Sequence, residues 1–362
     1  MRLVRETTYA VPPGPQETLH VNMQRTLLAW LLGAVSASAA ADDIVVLNSG
    51  NRMSGSIVAL SRGELTFSVE GARARPRPGA GRIDIDWQNV AELRSEDTFY
   101  VWLASGERHI GSLAATNGRM VVHTPEGPRE VALLEVVEIE PASAADFAGR
   151  LSGSIDVGFE FLSANDEIDW TLNAEAQHRT TNYRTTASIN SLLRRRDGTT
   201  AHRRNRLKLD SRRLLDNRWF AQAMSIAEED RELDLDSRFL LGASYGRTFV
   251  RSQRMEFAAF AGVNADRERF RGHRADTLFE AHAGVDWEWF ELAADTSIAL
   301  DAITYFAPDQ PRLRVDLEAA LRHDISDDYY LSLYVFESYN SDPPEALEKS
   351  DLGVALTFGR SF

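Results

Sequence analysis

Ionic side chains at every second position are the feature of this sequence most able to do chemistry. In the run from Arg312 to Arg322, Arg312, Arg314, Asp316, Glu318 and Arg322 share one parity, while Leu313, Val315, Leu317, Ala319 and Leu321 share the other. From residue 276 onward, Asp276, Glu280, His282, Asp286 and Glu288 oppose Phe279, Ala281, Ala283, Val285 and Trp287. Between 167 and 177, Glu167, Asp169, Asn173 and Glu175 oppose Ile168, Trp170, Leu172 and Ala174. Successive side chains of an extended strand point to opposite faces, so each run has one ionic and one apolar face. Arginines and a lysine gather at Arg184, Arg194, Arg204, Arg206, Lys208 and Arg212, and Asp156, Glu160, Asp169 and Glu175 are expected on the adjoining wall. Together with Glu280, His282, Arg314, Asp316, Glu318 and Arg322 they are the candidate lumen residues. Opposed walls of this kind would orient a small ionic solute and set selectivity. The same charges could instead neutralise one another and fill a narrow interior.

Catalytic chemistry has little support. The eight histidines are scattered, and none pairs at a metal-ligand spacing such as HxxxH. His282, between Glu280 and Gly284, reads as a hydrogen-bonding lumen residue. An outer-membrane lipid hydrolase would need a Ser–His–acid set near a rim, and no such set stands out. The chain has no cysteine, which removes disulfides, thiol catalysis and thiolate metal sites. The reading is of a non-enzyme with no cofactor and no metal.

The elements that must position these charges are strands. From about residue 150, segments of 9–14 residues alternate with turns to the end of the sequence. A soluble sandwich would show the same alternation, so other features must decide. The segments are about ten residues, the length a tilted strand needs to cross a bilayer. They number about twelve, an even count typical of closed bacterial barrels. Aromatics stand at segment ends (Trp170, Trp219, Tyr245, Trp287, Trp289, Tyr329, Tyr330), where interfacial girdles belong. Long connections at 195–203, 266–275, 303–311 and 340–350 are expected outside. Short ones at 215–217, at Trp287–Glu288 and at 325–328 are expected to face the periplasm, with "SAND" at 163–166 and "EED" at 228–230 short outer exceptions.

Residues 42–145 have a different habit, with short strands and glycine turns. "VVLNSGNRMSGSIVAL" at 45–60 is echoed by "VWLASGERHIGSLAAT" at 101–116, so Leu47, Gly50 and Gly55 recur as Leu103, Gly106 and Gly111. The unit, of about 56 residues, is expected to be a bent SH3-like or Sm-like β fold seen twice. The arginines of "GARARPRPGAG" at 71–81 read as a solvated hairpin tip.

Ahead of this lies a leader-like segment. From Met23, one arginine (Arg25), an apolar core Leu27–Val35 and small residues to Ala39 or Ala41 have the order of a secretory signal. Residues before Met23 read as an over-long start, so the expected organisation is 1–41 leader, 42–145 periplasmic β domain and 150–362 barrel. Mean hydropathy is -0.31 and no apolar run reaches the length of a membrane helix. The formal charge of -14 argues against a nucleic-acid partner. Outer-membrane lipids, the barrel-assembly machinery and a periplasmic envelope component are the partners expected instead.

The sequence closes on "DLGVALTFGRSF". Asp351, Gly353, Leu356 and Phe358, with Phe362 at the end, match the polar-x-Gly-x-x-apolar-x-apolar signal by which assembly machinery recognises barrel clients. The leader, the "VVLNSGNRMSGSI" unit and the run "RNRLKLDSRRLLDNRWFAQAMSIAEEDRELDLDSRFLLGASYGRTF" together resemble the salt-induced outer-membrane protein family. The resemblance covers most of 42–362. It implies an all-β fold, an outer-membrane location with the amino-terminal part in the periplasm, and an envelope function tied to salt stress. It implies no catalytic residues. A narrow charged pore and a structural anchor for the amino-terminal domain both fit it. Replacing Leu356 and Phe358 together by serine is expected to lower the yield of folded barrel, measured as heat-modifiable protein, while leaving synthesis and export unchanged. Two lost apolar contacts of about 1.5–3 kcal/mol each are large for a recognition step.

Overall fold

A computed structural model describes residues 42–69, 81–142, 151–162, 167–180, 182–196, 199–293, 295–310, 312–326, 328–343 and 349–361. The leader-like segment, most of the arginine-bearing tip at 71–81, the "SAND" connection at 163–166 and Phe362 lie outside the described residues.

The first sheet has nine strands: β1 (Asp43–Leu47), β2 (Arg52–Ser61), β3 (Glu64–Ser68), β4 (Arg82–Asp86), β5 (Val90–Leu103), β6 (Arg108–Thr116), β7 (Arg119–Thr124), β8 (Gly127–Ala132) and β9 (Val136–Pro141). Its main path runs β4-β3-β2-β1-β5-β6-β7-β8, and β9 pairs with both β2 and β5. A single 3₁₀ turn precedes the strand at Val90 and again the strand at Val136. The echoed segments therefore occupy equivalent places. β1 pairs with β2 as the second half of β5 pairs with β6. The closing strands reach across: Leu93 of β5 pairs with Ala115 of β6, and Ile139 of β9 pairs with Leu60 of β2. One core results, with Val45, Leu60, Phe67 and Trp87 packed among Val101, Leu113, Met120 and Ile139. Trp87 Nε1 donates to the Leu133 carbonyl at 2.9 Å, joining the two 3₁₀ turns. Gly55 and Gly111 stand where β2 and β6 bend closely over Ser68 and His123; a Cβ at either would collide with a backbone carbonyl.

The second sheet closes on itself. It comprises β10 (Leu151–Leu162), β11 (Glu167–Arg179), β12 (Tyr183–Arg196), β13 (Thr199–Leu214), β14 (Trp219–Asp230), β15 (Leu235–Arg251), β16 (Met255–Phe270), β17 (Asp276–Ala293), β18 (Thr296–Ala307), β19 (Arg312–Asp324), β20 (Tyr329–Asn340) and β21 (Ser350–Ser361). These twelve antiparallel strands form a closed barrel, sealed where Ser154–Val157 of β10 pairs with Phe358–Ser361 of β21. Large apolar side chains point outward and stay exposed, among them Phe279 at 69%, Leu356 at 67% and Val263 at 65%. The ionic parity is buried inside.

Several sequence expectations need correction. The strands run 12–18 residues rather than about ten. The segment 195–203 is largely paired strand, since β12 ends at Arg196 and β13 begins at Thr199, and strand takes up about half of 266–275 and of 303–311, where β16 reaches Phe270 and β18 reaches Ala307; the connection expected at 340–350 holds, between Asn340 and Ser350. In the first three segments charged side chains made ladder look like loop. Of the long connections only the one between β20 and β21 keeps its expected length, and the short ones at 215–217 and 325–328 hold. "EED" is the end of β14, and the turn falls at 231–234 instead. Trp287–Glu288 is not a turn; both pair with Phe257–Glu256 on one side and Leu300–Ala299 on the other. The turn comes after Ala293, where Asp295 takes a positive φ of 56. Tyr330 belongs to no girdle: it is buried in the lumen beneath the Arg322 guanidinium, 3.8 Å from the ring centroid.

The nine-stranded sheet lies against the barrel end that carries both barrel termini. Glu138 joins Arg179 Nη1 at 2.5 Å and Arg251 Nη2 at 2.9 Å. Arg179 also lies over the Trp102 ring at 4.8 Å. Gln253 Nε2 donates to the Val136 carbonyl at 3.0 Å, and Arg108 Nη1 donates to Asn182 Oδ1 at 2.9 Å. Gly106, with φ +91, lets this turn approach Arg218 where a side chain would obstruct. Gly111→Val is expected to destabilise residues 42–142 by about 1–3 kcal/mol or more through overpacking. Limited proteolysis should cut within 42–142 of the variant while the barrel band stays intact.

Candidate functional site

The lumen is filled in layers. On β14 the inward parity is Phe220, Gln222, Met224, Ile226, Glu228 and Asp230, so it is apolar towards the sheet-covered end and acidic at the other. Phe220, Met224 and Ile226 pack with Leu240, Phe260, Ile303 and Tyr305 into a buried apolar cluster inside the barrel. Next to it lies a belt of ion pairs. Glu228 receives Arg204 and Arg206 at 3.3 Å and Arg238 at 3.1 Å. Arg206 continues to Asp316 at 3.1 Å, and Arg238 to Glu268 at 3.1 Å and Asp266 at 3.4 Å. Arg314 meets Asp266 at 3.0 Å and Glu280 at 2.9 Å, and Arg312 joins Glu268 through its Nη2 at 2.9 Å. The strands bearing these groups are not all neighbours, so the bonds cross the lumen. Arg204 Nη2 also donates to Ser338 Oγ on β20 at 3.2 Å.

Desolvated ions persist only when nearly every charge is paired. Arg204, Arg206, Arg238, Arg312 and Arg314 face Glu228, Asp230, Asp266, Glu268, Glu280, Asp316 and Glu318 within this network. These five guanidinium groups share seven carboxylates, and Lys208 adds a further cation near Glu318. Aromatic rings hold the guanidiniums in place. Arg204 lies 3.9 Å from the Phe336 centroid and Arg314 4.5 Å from that of Tyr305. The Phe336 ring in turn rests on Gly353, and the Tyr330 ring on Gly359, where any Cβ would overlap the ring.

The candidate residues divide among three places. Arg204, Arg206, Glu280, Arg314 and Asp316 belong to the belt, and Glu318 reaches it through Arg206 at 3.6 Å. Asp156, Glu175, Arg184, Lys208, Glu318 and Arg322 line a cavity of about 310 Å³ on the sheet-covered side. Asp169 lines a second cavity, of about 490 Å³, on the other side, together with Arg204 and Arg206. His282 is fixed between Ser244 Oγ at 2.7 Å and Asn264 Oδ1 at 2.9 Å. The side chain of Glu160 lies outside the described residues. Leu356 and Phe358 face outward, Phe358 stacking on Tyr329 with centroids 5.6 Å apart, whereas Asp351 and the Gly353 position face the lumen.

The opposed walls expected from the sequence form in part, where an acid of β11 meets an arginine of β12. Asp169 binds Arg194 of the adjacent strand at 2.7 Å, and Asp156 accepts from Thr357 Oγ1 at 2.6 Å and Asn173 Nδ2 at 3.3 Å. Arg204 and Arg206 find their acids on β14 and β19 instead. β14 is the next strand of the ladder, with Arg206 registered opposite Glu228, whereas barrel curvature brings β19 within reach across the lumen. Sequence reasoning also missed Glu228, Arg238, Asp266, Glu268 and the apolar cluster. The signal was present as parity: counting by twos from Phe220 reaches Glu228 and Asp230 on the inward face. Glu228→Gln is expected to destabilise the barrel by about 3–5 kcal/mol, because three guanidiniums lose their shared partner. Denaturant melting of the detergent-solubilised protein measures this.

A family model described as "Protein of unknown function, DUF481" matches residues 155–362. No curated protein matches the chain. Among solved structures, the NanC porin is 9% identical with a TM-score of 0.37, the match covering 58% of this chain and 98% of that one. The KdgM porin in complex with disordered oligogalacturonate is 9% identical with a TM-score of 0.30, over 58% and 98%. The translocator domain of the autotransporter NalP from Neisseria meningitidis is 10% identical with a TM-score of 0.31, over 59% and 86%. Similarity this low carries no assignment of activity.

Proposed function

This chain belongs to the DUF481 family of proteins of unknown function, and we propose that it is an outer-membrane β-barrel envelope protein whose lumen is a narrow, cation-preferring path held shut by its ion-pair belt. The observation that carries this reading is the inversion of the barrel: exposed Phe279, Val263 and Leu356 outside, buried Glu228, Arg206 and Arg314 inside. A barrel in water would have the reverse. Closing the sheet, here over four residue pairs between β10 and β21, removes edge backbone groups that lipid could not satisfy. Outer-membrane lipids and the barrel-assembly machinery are then its obligatory partners. Carboxylates outnumber guanidinium groups in the belt, which favours cations over anions. The protein has no enzymatic role in this reading. Salt-responsive expression belongs to it on the sequence resemblance alone.

Residues 42–142 form, in this proposal, a duplicated SH3-like or Sm-like periplasmic domain. The motivation is the repeated order of five strand segments with a 3₁₀ turn before the last. A second reading, a barrel that anchors this domain beneath its mouth, is favoured by the Glu138–Arg179–Arg251 contacts and by Trp102.

Planar-bilayer recording of heat-modifiable protein purified from the outer-membrane fraction separates the two. The wild type is expected to show rare, small, cation-selective events, and Arg206→Ala more frequent or larger ones. Large steady currents of open-porin size in the wild type would overturn the closed belt. Silence in both proteins would reject the pore and leave the anchor. Recovery of the chain in the cytosol would reject the location.

A further inference from the structure

At the lumen end away from the nine-stranded sheet, β13 begins, β14 ends and β21 begins. His202, Asp230 and Asp351 meet there, all buried, and each offers a ligand atom within 4.8 Å of the others. Three of their polar atoms have no hydrogen-bond partner: His202 Nε2, Asp230 Oδ2 and Asp351 Oδ2. Buried polar atoms are nearly always satisfied, so three orphans in one place call for a ligand that accepts lone pairs. A cation does so.

We propose that His202, Asp230 and Asp351 form a divalent metal site of the zinc class. The groups around them prepare the ligands. His202 Nδ1 lies 3.1 Å from Glu232 Oε2. Donation of the Nδ1 proton to this carboxylate fixes the tautomer that presents the Nε2 lone pair, the usual outer partner of a metal-bound histidine. Asp230 Oδ1 accepts the backbone N–H groups of Glu232 at 3.0 Å and Leu233 at 3.3 Å, which leaves Oδ2 for the ion. Arg204 Nε stands 3.7 Å from Asp230 Oδ2, near enough for charge attraction and too far for a hydrogen bond. Counting Glu232, three carboxylates gather here, and Arg204, which is shared with Glu228, is the guanidinium beside Asp230. A divalent ion offsets the charge of the two ligating carboxylates.

The donor set selects the ion class. One imidazole nitrogen with two carboxylate oxygens suits a borderline ion such as Zn²⁺ better than Ca²⁺ or Mg²⁺, which prefer all-oxygen shells. Tetrahedral zinc holds its ligand atoms roughly 3.3 Å apart, so binding draws the three groups slightly inward. His202, Glu232 and Asp351 also line the cavity of about 490 Å³, which leaves the fourth position open to solvent or solute. The ion would tie β13 and β14 to β21 across the lumen, beside the Arg204–Ser338 contact. Spacing along the chain could not reveal the site, because its ligands come from three separate strands.

The test uses the full-length protein in detergent, stripped with a chelator, then titrated with zinc and, separately, with cobalt(II), whose visible absorption reports a tetrahedral N/O shell. The expected result is a single tightly held zinc ion per chain. His202→Gln and Asp230→Asn should each weaken binding about tenfold or more, and Glu232→Gln, which keeps all three ligands, about ten- to a hundredfold. An unboiled-gel shift shows which variants fold. Absence of zinc binding by the folded wild type would overturn the proposal. So would wild-type affinity in the folded variants. If His202→Gln and Asp230→Asn do not fold, Glu232→Gln decides, and unchanged affinity there overturns the site.

Discussion

Closure of the β10–β21 ladder is the constraint on which the rest of the structure depends. A sheet that presents Phe279, Val263 and Leu356 to its surroundings can leave no open edge in an apolar medium, since each unpaired backbone group there costs several kcal/mol. Four register pairs between Ser154–Val157 and Phe358–Ser361 join the two edge strands and close the ring at the end that carries both barrel termini. Once the apolar parity faces outward, alternation sends the other parity into a narrow interior. Charges that would be solvated in a soluble sandwich must then find one another.

The interior answers with shared partners. Glu228 alone satisfies three arginines from two strands, and Arg238 and Arg314 extend the chain to Asp266, Glu268 and Glu280. Glycines on β21 let aromatic rings lie flat against the wall, and the rings give guanidiniums a surface to stack on. The small residues that look like part of a terminal recognition pattern thus also serve lumen packing: Gly353 makes room for Phe336, and Asp351 sits beside His202 and Asp230. Leu356 and Phe358 stay outward and exposed.

The two ends of the lumen differ in kind. One is covered by the nine-stranded sheet, held by Glu138, Gln253 and Arg108. The other ends in the His202–Asp230–Asp351 group and the larger cavity. Between them lie the apolar cluster around Phe260 and the ion-pair belt. This middle layer is built of side chains from opposite walls of the barrel.

What the sequence by itself determined was local and periodic. Parity along Arg312–Arg322 and Asp276–Glu288 specified which side chains share a face, because a strand alternates strictly. The echo of Leu47, Gly50 and Gly55 in Leu103, Gly106 and Gly111 marked equivalent bends for the same reason. Turn positions were legible only in part: a charged residue in a ladder looks like one in a loop, so "EED" and residues 195–203 misled. Only the tertiary structure decided which charges meet. Closing twelve strands brings β13 to β19, β20 and β21 across the lumen, a distance set by curvature rather than by chain order. The partners of Arg206, the cross-lumen bond of Arg204 and the convergence of His202 with Asp351 follow from that curvature, and no spacing along the chain encodes them.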